Sequence, residues 1–358
     1  MKIGILTQAL TTNYGGILQN YALQTVLKRM GHEVLTFDIC KPDWRDWLIV
    51  TIKTTIKKCI GKKSEYLMTP AQKRKLEMPL RKFVKKNIKL TSPRVKLPIA
   101  SQIRKYSLDA IVVGSDQVWR PVYNYGYIDD MFLAFSRGAN IKRIAYAASF
   151  GSDNWEYTKR EETICSALAK EFDGISVREK SGINLCNQYL GVDATHVLDP
   201  TLLLKKDDYT SLCTDIEKRE PFVFAYLLDQ NNKKIEDIKR FSESKGLSYF
   251  IKSAGSIVTK YDSIELWLSY FRDAKYIITD SFHGTAFSII FNKEFYVYKN
   301  AHRGNSRFES ILEEFGLKDR LIENNLFERS LIDWESVNAK REIRRLFSIQ
   351  WLRVNINK

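Results

Sequence analysis

The residues best suited to chemistry in this sequence stand between two apolar runs. In YIITDSFHGTAFSIIF, residues 276–291, a β-branched run ends at Thr279 and a breaker-free apolar run begins at Thr285. Asp280, Ser281, Phe282, His283 and Gly284 lie between them. A strand followed by a helix puts such turn residues at the carboxyl end of a parallel sheet, where open α/β folds bind ligands. The helix start adds unpaired N–H groups and a partial positive charge, which suit an anion. His283 is the only one of the four histidines in such a turn, and an imidazole exchanges a proton near neutral pH. The simpler alternative is that Asp280 or Ser281 only caps the helix.

Other turns repeat the pattern. The apolar run 108–113 leads into Gly114-Ser115-Asp116-Gln117-Val118-Trp119. Asp116 there can accept a hydrogen bond from a sugar hydroxyl or remove its proton, or it can simply cap the turn. The run 143–147 ends at Ala148-Ser149-Phe150-Gly151, and the run 174–177 ends at Arg178-Glu179. An arginine at a strand's carboxyl end suits a carboxylate or phosphate; a structural pair with Glu179 is the alternative. Asn13-Tyr14-Gly15-Gly16, with Gln19 nearby, ends a polar loop whose glycines allow close backbone approach to a phosphate or sugar. A tight turn is the competing explanation. Arg303 and Arg307 flank the start of a helix that runs to about Phe315.

The elements that hold these turns make an α/β chain. Strands are expected at 2–6, 33–38, 108–113, 143–147, 174–177, 221–228, 247–251, 276–279 and 294–298. Helices are expected at 17–30, 159–172, 232–245, 263–272 and 334–354. The opening strand, loop, helix and strand form a Rossmann-like unit without a G-x-G-x-x-G fingerprint. The expected organisation is a first Rossmann-like domain, 1–204, with a helical insertion at 41–105. A linker at 205–220, a second Rossmann-like domain at 221–332 and a C-terminal helix at 333–358 follow. By analogy with two-Rossmann folds, that helix packs back on the first domain.

Composition narrows the partners. The net charge is +15, and 41–105 alone holds 19 Lys/Arg against 4 Asp/Glu, a surplus equal to that of the whole chain. Ile49, Ile52, Ile56 and Ile60 share one helical face there, and a second helical stretch runs near 71–86. Basic amphipathic helices lie on anionic membrane surfaces, or else pack on their own domain with solvated lysines. Few aromatics accompany the basic residues and no nucleic-acid module is recognisable, so nucleic-acid binding is not expected. Met1-Lys2 leads straight into a strand-like run, so no signal peptide is expected. No apolar run approaches the ~18 residues that span a bilayer. Five scattered cysteines without a C-x-x-C fit a reducing cytoplasm. No H-E-x-x-H, D-x-D triad or cysteine cluster calls for a metal.

Taken in order, these turns carry a resemblance. They are Asn13-Tyr14-Gly15-Gly16 with Gln19 and Tyr21-Ala22-Leu23-Gln24, Gly114 to Trp119, Tyr146 to Gly151, Ser176-Val177-Arg178-Glu179, Asp199-Pro200-Thr201, and Ser281-Phe282-His283-Gly284. The sequence resembles the polysaccharide pyruvyl transferase family from Lys2 to about Leu317. The resemblance implies two Rossmann-like domains in a GT-B-like arrangement. It also implies transfer of pyruvate from phosphoenolpyruvate to two hydroxyls of one sugar, giving a cyclic ketal and phosphate. No cofactor is implied; phosphoenolpyruvate is the donor substrate.

The family pattern points to Asp116, Arg178 and His283 as active-site positions. His283 is then the acid and Asp116 the base, with the reverse assignment open. Arg178, with Arg303 or Arg307, holds carboxylate and phosphate. Asn13, Tyr14, Gly15, Gly16, Gln19, Ser149, Ser281 and Gly284 complete the expected substrate-binding set. Many members carry arginine two residues before the histidine; Ser281 stands there in this chain. Arg303 or Arg307 is expected to take over its charge. The acceptor is expected to be a surface polysaccharide or its lipid-linked precursor. The expected location is the cytoplasm, with the basic segment at the inner face of the cytoplasmic membrane. The rivals are a GT-B glycosyltransferase using a nucleotide sugar and a non-catalytic binder of the same fold.

Overall fold

Apolar runs bounded by polar turns assemble into two parallel sheets. The structure is a computed structural model that describes residues 1–39, 70–94, 100–215, 220–254, 260–299, 306–322 and 329–357. The first sheet contains β1 (Lys2–Leu6), β2 (Glu33–Thr36), β3 (Ala110–Val113), β4 (Lys142–Ala148), β5 (Gly174–Val177) and β6 (Thr195–His196), in the order β2-β1-β3-β4-β5-β6. The second contains β7 (Phe222–Leu227), β8 (Ser248–Ser253), β9 (Tyr276–Thr279), β10 (Glu294–Tyr298) and β11 (Leu321–Ile322), in the order β11-β10-β9-β7-β8. β3, AIVV, and β7, FVFAYL, are buried along their whole lengths. Parallel sheets covered by helices on both faces require such unbroken apolar strands.

The strand order reverses between β1 and β3 in one sheet and between β7 and β9 in the other. Crossovers leave in opposite directions at these points, so each leaves a crevice beyond the strands' carboxyl ends. Val112 lies beside Ile5, and Ile277 beside Phe224, at these two seams. The chain is thus two Rossmann-like halves facing one another in a GT-B-like arrangement.

Two helices begin earlier than the apolar runs suggest. The first spans Tyr14–Arg29 and not 17–30, because the Asn13 side chain accepts from the Gly16 amide and caps it. The double glycine therefore lies in the first helical turn, not in a loop. The helix after β9 spans Phe282–Ile290, because Ser281 accepts from the Gly284 amide. His283 accordingly sits on the first turn of a helix.

One hydrophobic core runs through both halves, and each half has a further core of its own. Tyr14 of the first half stacks on Trp267 of the second, with ring centroids 5.1 Å apart and planes 9° apart. Its hydroxyl donates to the Asp262 carbonyl at 3.0 Å. The charged stretch 205–220 is partly packed: Lys206–Thr210 is a short helix whose Tyr209 is fully buried and donates to the Thr201 carbonyl. The C-terminal helix, Trp334–Asn357, lies against the first sheet. Its Ser348 accepts from the Leu198 amide, and Arg344 donates to the His196 carbonyl.

Of the basic segment, the helix Pro70–Asn87 packs through Leu80, Phe83 and Val84 on the shared core, against the first helix of the first half and against the helix Ile264–Asp273 of the second. Ala100–Tyr106 forms a further helix. The expected helix carrying Ile49, Ile52, Ile56 and Ile60 lies outside the described residues.

Candidate active site

The two crevices open onto one cleft of about 410 Å³ between the halves. Asn13, Gly15 and Asp116 line it from the first half. Ser281, Phe282, His283 and Arg307 line it from the second. The helices Tyr14–Arg29, Phe282–Ile290 and Ser306–Phe315 all begin at this cleft. Neither of the first two carries an acidic residue in its first turn. Their positive ends therefore face the cleft and suit an anion.

Asp116 reaches the cleft through an unusual backbone. It has φ +64, a left-handed conformation that aspartate tolerates better than most residues. Gly114 before it has φ +129, and a Cβ there would lie 2.1 Å from the Tyr146 carbonyl oxygen. Gln19, fully buried, braces the turn. It accepts from the Ser115 amide and donates to Thr7 and to the Gly16 carbonyl. Asn13 Nδ2 then donates to Asp116 Oδ2 at 3.1 Å. One residue thus both caps the first helix and holds the candidate base.

His283 is 7% exposed. Its Nε2 lies 3.7 Å from Oδ2 of Asp199, an ion contact longer than a hydrogen bond. Its Nδ1 side packs on Gly15, where a Cβ would stand only 2.0 Å away. The glycine is what lets the first half approach the imidazole of the second. Asp199 is fully enclosed. Its Oδ1 accepts from the Thr201 amide and hydroxyl, and its Oδ2 from Arg178 Nη1 at 3.1 Å and Ser115 Oγ at 3.3 Å. Burial by itself raises the Asp199 carboxyl, yet His283, Arg178 and the Thr201 amide together hold it well below the usual carboxylate range. That carboxylate faces whatever positive charge the imidazole carries.

Arg178 lies one layer behind the cleft. Its guanidinium meets Glu179 at 3.0 Å, Asp199 at 3.1 Å and Asp116 at 3.4 Å, and sits 4.3 Å from the centre of the Phe282 ring. Burial works against its charge, but the three carboxylates hold its pKa above the ordinary arginine value. It organises all three acids and is 3% exposed. Among the described residues, Arg307 is the cation that lines the cleft. Burial and the neighbouring Arg178 charge push its pKa down to about 10. A bound anion would relieve both effects.

The structure therefore brings Asn13, Gly15, Asp116, Ser281, His283 and Arg307 to one cleft. The other expected residues support it from behind. Ser149 donates to Glu179 and accepts from Arg178. Tyr14 joins the halves, Gly16 receives the Asn13 cap, and Gly284 packs its helix on Thr279. Arg303 lies outside the described residues. Asp280 is structural: it accepts from the Leu228 and Asp229 amides and from Lys234. Two lining or adjoining acids are not marked as site residues by the sequence. Asp199 has a signal, an Asp-Pro at a strand end. Glu77, on the cleft wall, is hidden in the basic segment. Among the described residues, no group of three or more His, Cys, Asp or Glu could hold a metal ion, and no helix is long and apolar enough to cross a membrane.

The sequence profile of one family, polysaccharide pyruvyl transferase, matches residues 13–302. None of the curated proteins matches the chain. Among solved structures, UDP-GlcNAc 2-epimerase from Methanocaldococcus jannaschii is 12% identical with TM-score 0.49, covering 96% of this chain and 93% of that one. MnaA of S. aureus, in a co-structure with UDP, is 12% identical with TM-score 0.47, covering 98% and 90%. The UDP-GlcNAc 2-epimerase of Neisseria meningitidis is 10% identical with TM-score 0.46, covering 100% and 93%.

Proposed function

The chain belongs to the polysaccharide pyruvyl transferase family, and from that premise we propose that it moves pyruvate from phosphoenolpyruvate onto two hydroxyls of one sugar. One observation carries this reading. A single cleft collects an imidazole, a carboxylate, a buried guanidinium and three helix N-termini. Those are an acid, a base and the positive ends that a phosphorylated carboxylate needs.

In this scheme the donor's phosphate and carboxylate lie against Arg307 and the helix ends at Gly15 and Ser281. His283 protonates the methylene carbon, which makes C2 electrophilic. The first sugar hydroxyl adds to C2 and gives its proton to Asp116. The bond from C2 to the phosphate oxygen breaks, the second hydroxyl closes the ketal, and its proton leaves with phosphate. Asp199 balances the imidazolium, and Arg178 keeps both carboxylates in place. Arg307 supplies the charge that other members carry two residues before the histidine. The acceptor is a surface polysaccharide or its lipid-linked precursor, with the basic segment 41–105 facing an anionic membrane. Binding to anionic vesicles should then fall steeply with added salt.

The test is phosphate release from phosphoenolpyruvate with a panel of synthetic glycosides. His283→Gln should lower it by on the order of 100- to 10,000-fold. A protein that ignores phosphoenolpyruvate and binds nucleoside diphosphates tightly is a glycosyltransferase instead.

A further inference from the structure

The helix Pro70–Asn87 carries seven Lys/Arg and one acid, Glu77. Arg74, Lys75, Lys82, Lys85 and Lys86 face solvent. Glu77 does the opposite: it is 7% exposed and lines the cleft. Glu77, Leu80, Arg81 and Val84 share one helical face by their spacing. Burying Leu80 and Val84 in the core therefore carries Glu77 inward and holds its helix rigidly. Arg81 donates to Asp38 at 3.0 and 3.2 Å and to the Leu10 carbonyl at 3.4 Å. It thus ties the loop after β1, with Thr11 and Thr12, to the helix bearing Glu77. Those two threonines and the Tyr123 ring line the same cleft. Arg307 and the helix end at Ser281 come from the other half, and the helix end at Gly15 faces them from this one. The two lining carboxylates, Glu77 and Asp116, both come from the first half, and the guanidinium comes from the second.

We propose that Glu77 is the acceptor-recognition residue, taking hydrogen bonds from neutral sugar hydroxyls and rejecting sugars whose own ring carries a carboxylate. The assignment rests on pyruvyl transfer only in calling that sugar the acceptor. A carboxylate offers two oxygens and several lone pairs, enough for a pair of adjacent hydroxyls. A charge-assisted bond of this kind is worth roughly 10- to 100-fold in affinity. A uronate in the same place sets one carboxylate against another.

The experiment is a ligand-observed NMR titration of wild type, Glu77→Gln and Glu77→Ala without donor. The probes are methyl β-galactoside, methyl α-mannoside, methyl β-N-acetylglucosaminide and methyl β-glucuronide. Wild type should bind at least one neutral probe, and the glucuronide about tenfold or more weakly. Glu77→Ala should weaken neutral binding roughly 10- to 100-fold, and Glu77→Gln should narrow the preference over the glucuronide. Stabilisation by phosphoenolpyruvate in a thermal melt should be the same in all three. Wild-type affinity for neutral glycosides in a folded Glu77→Ala protein overturns the assignment. So does a wild type that binds no neutral probe. If Glu77 governs glycoside binding but phosphate is never released, the assignment stands and the pyruvyl reading fails. Normal phosphate release with unchanged glycoside affinity in both variants overturns the role given to Glu77 and leaves pyruvyl transfer standing.

Discussion

Gly15→Ala perturbs the cleft with the smallest possible change. The added Cβ would stand 2.0 Å from Nδ1 and 2.1 Å from Cγ of His283, whereas ordinary contacts begin near 3.4 Å. The ring must retreat by about 1.4 Å, or the two halves must part by as much. Either response disturbs the His283–Asp199 contact. A misplacement of about 1 Å at a reacting group costs on the order of 100-fold, about 2.7 kcal/mol of transition-state stabilisation. Stability should fall by no more than about 2 kcal/mol, because the overpacking cost of about 1–3 kcal/mol is partly offset by alanine's advantage over glycine in a helix, about 1 kcal/mol. The expected outcome is kcat/KM for phosphate release down about 100-fold, with Tm within about 3 °C of wild type. A double-mutant cycle isolates the cause. With His283→Ala in place there is no ring to displace, and Gly15→Ala should cost no more than about threefold. A Gly15→Ala enzyme within about threefold of wild type would falsify the claim that this contact positions the imidazole. So would a full 100-fold loss that persists in the His283→Ala background.

Asp199→Asn removes the anion shared by Arg178 and His283 and should lower stability by on the order of 3 kcal/mol at neutral pH. Because the folded Asp199 carboxyl titrates below its unfolded value, its contribution is fully present above about pH 4 and is lost as pH falls through the folded value. The difference in urea midpoint between wild type and variant should therefore hold steady from about pH 8 to 5 and shrink only below about pH 4; shrinkage between pH 8 and 6 would implicate another group. Arg307→Ala should raise KM for phosphoenolpyruvate roughly 10- to 100-fold and leave glycoside affinity alone; equal losses for both ligands would count against a donor-side cation. Tyr14→Phe keeps the stack on Trp267 and loses the bond to the Asp262 carbonyl, about 1 kcal/mol, whereas Tyr14→Ala should cost about 3–5 kcal/mol. Urea titrations read both, and equal costs would show that the ring does not join the halves.

Much of this arrangement is local in origin. β5, β9 and β10 occupy the same residues that their apolar runs mark out, since strands buried on both faces are largely apolar. His283 and Asp116 stand out because they sit in turns just past such strands, where open α/β folds bind ligands, and Asn13 because it caps the helix that begins at the cleft. Apolar periodicity places the helix starts at Tyr14 and Phe282 three residues late. A cap depends on one side-chain bond, Asn13 to Gly16 or Ser281 to Gly284, and periodicity does not register it.

The part played by Arg178 is not legible in the sequence. Its neighbour Glu179 is adjacent in the chain, but Asp199 and Asp116 arrive from 21 and 62 residues away. Glu77 is the same lesson from the other side. A lone acid among lysines reads as surface until the burial of Leu80 and Val84 turns it inward. The amino-acid order by itself determined two parallel sheets and the turns that bear the chemistry, because apolar patterning and turn residues act over a few positions. Which of those turns meet, and which arginine faces a ligand, was decided by the packing of one half on the other. That packing depends on contacts such as Tyr14 on Trp267 and Gly15 on His283, whose partners are far apart in the chain and leave no periodic trace in it.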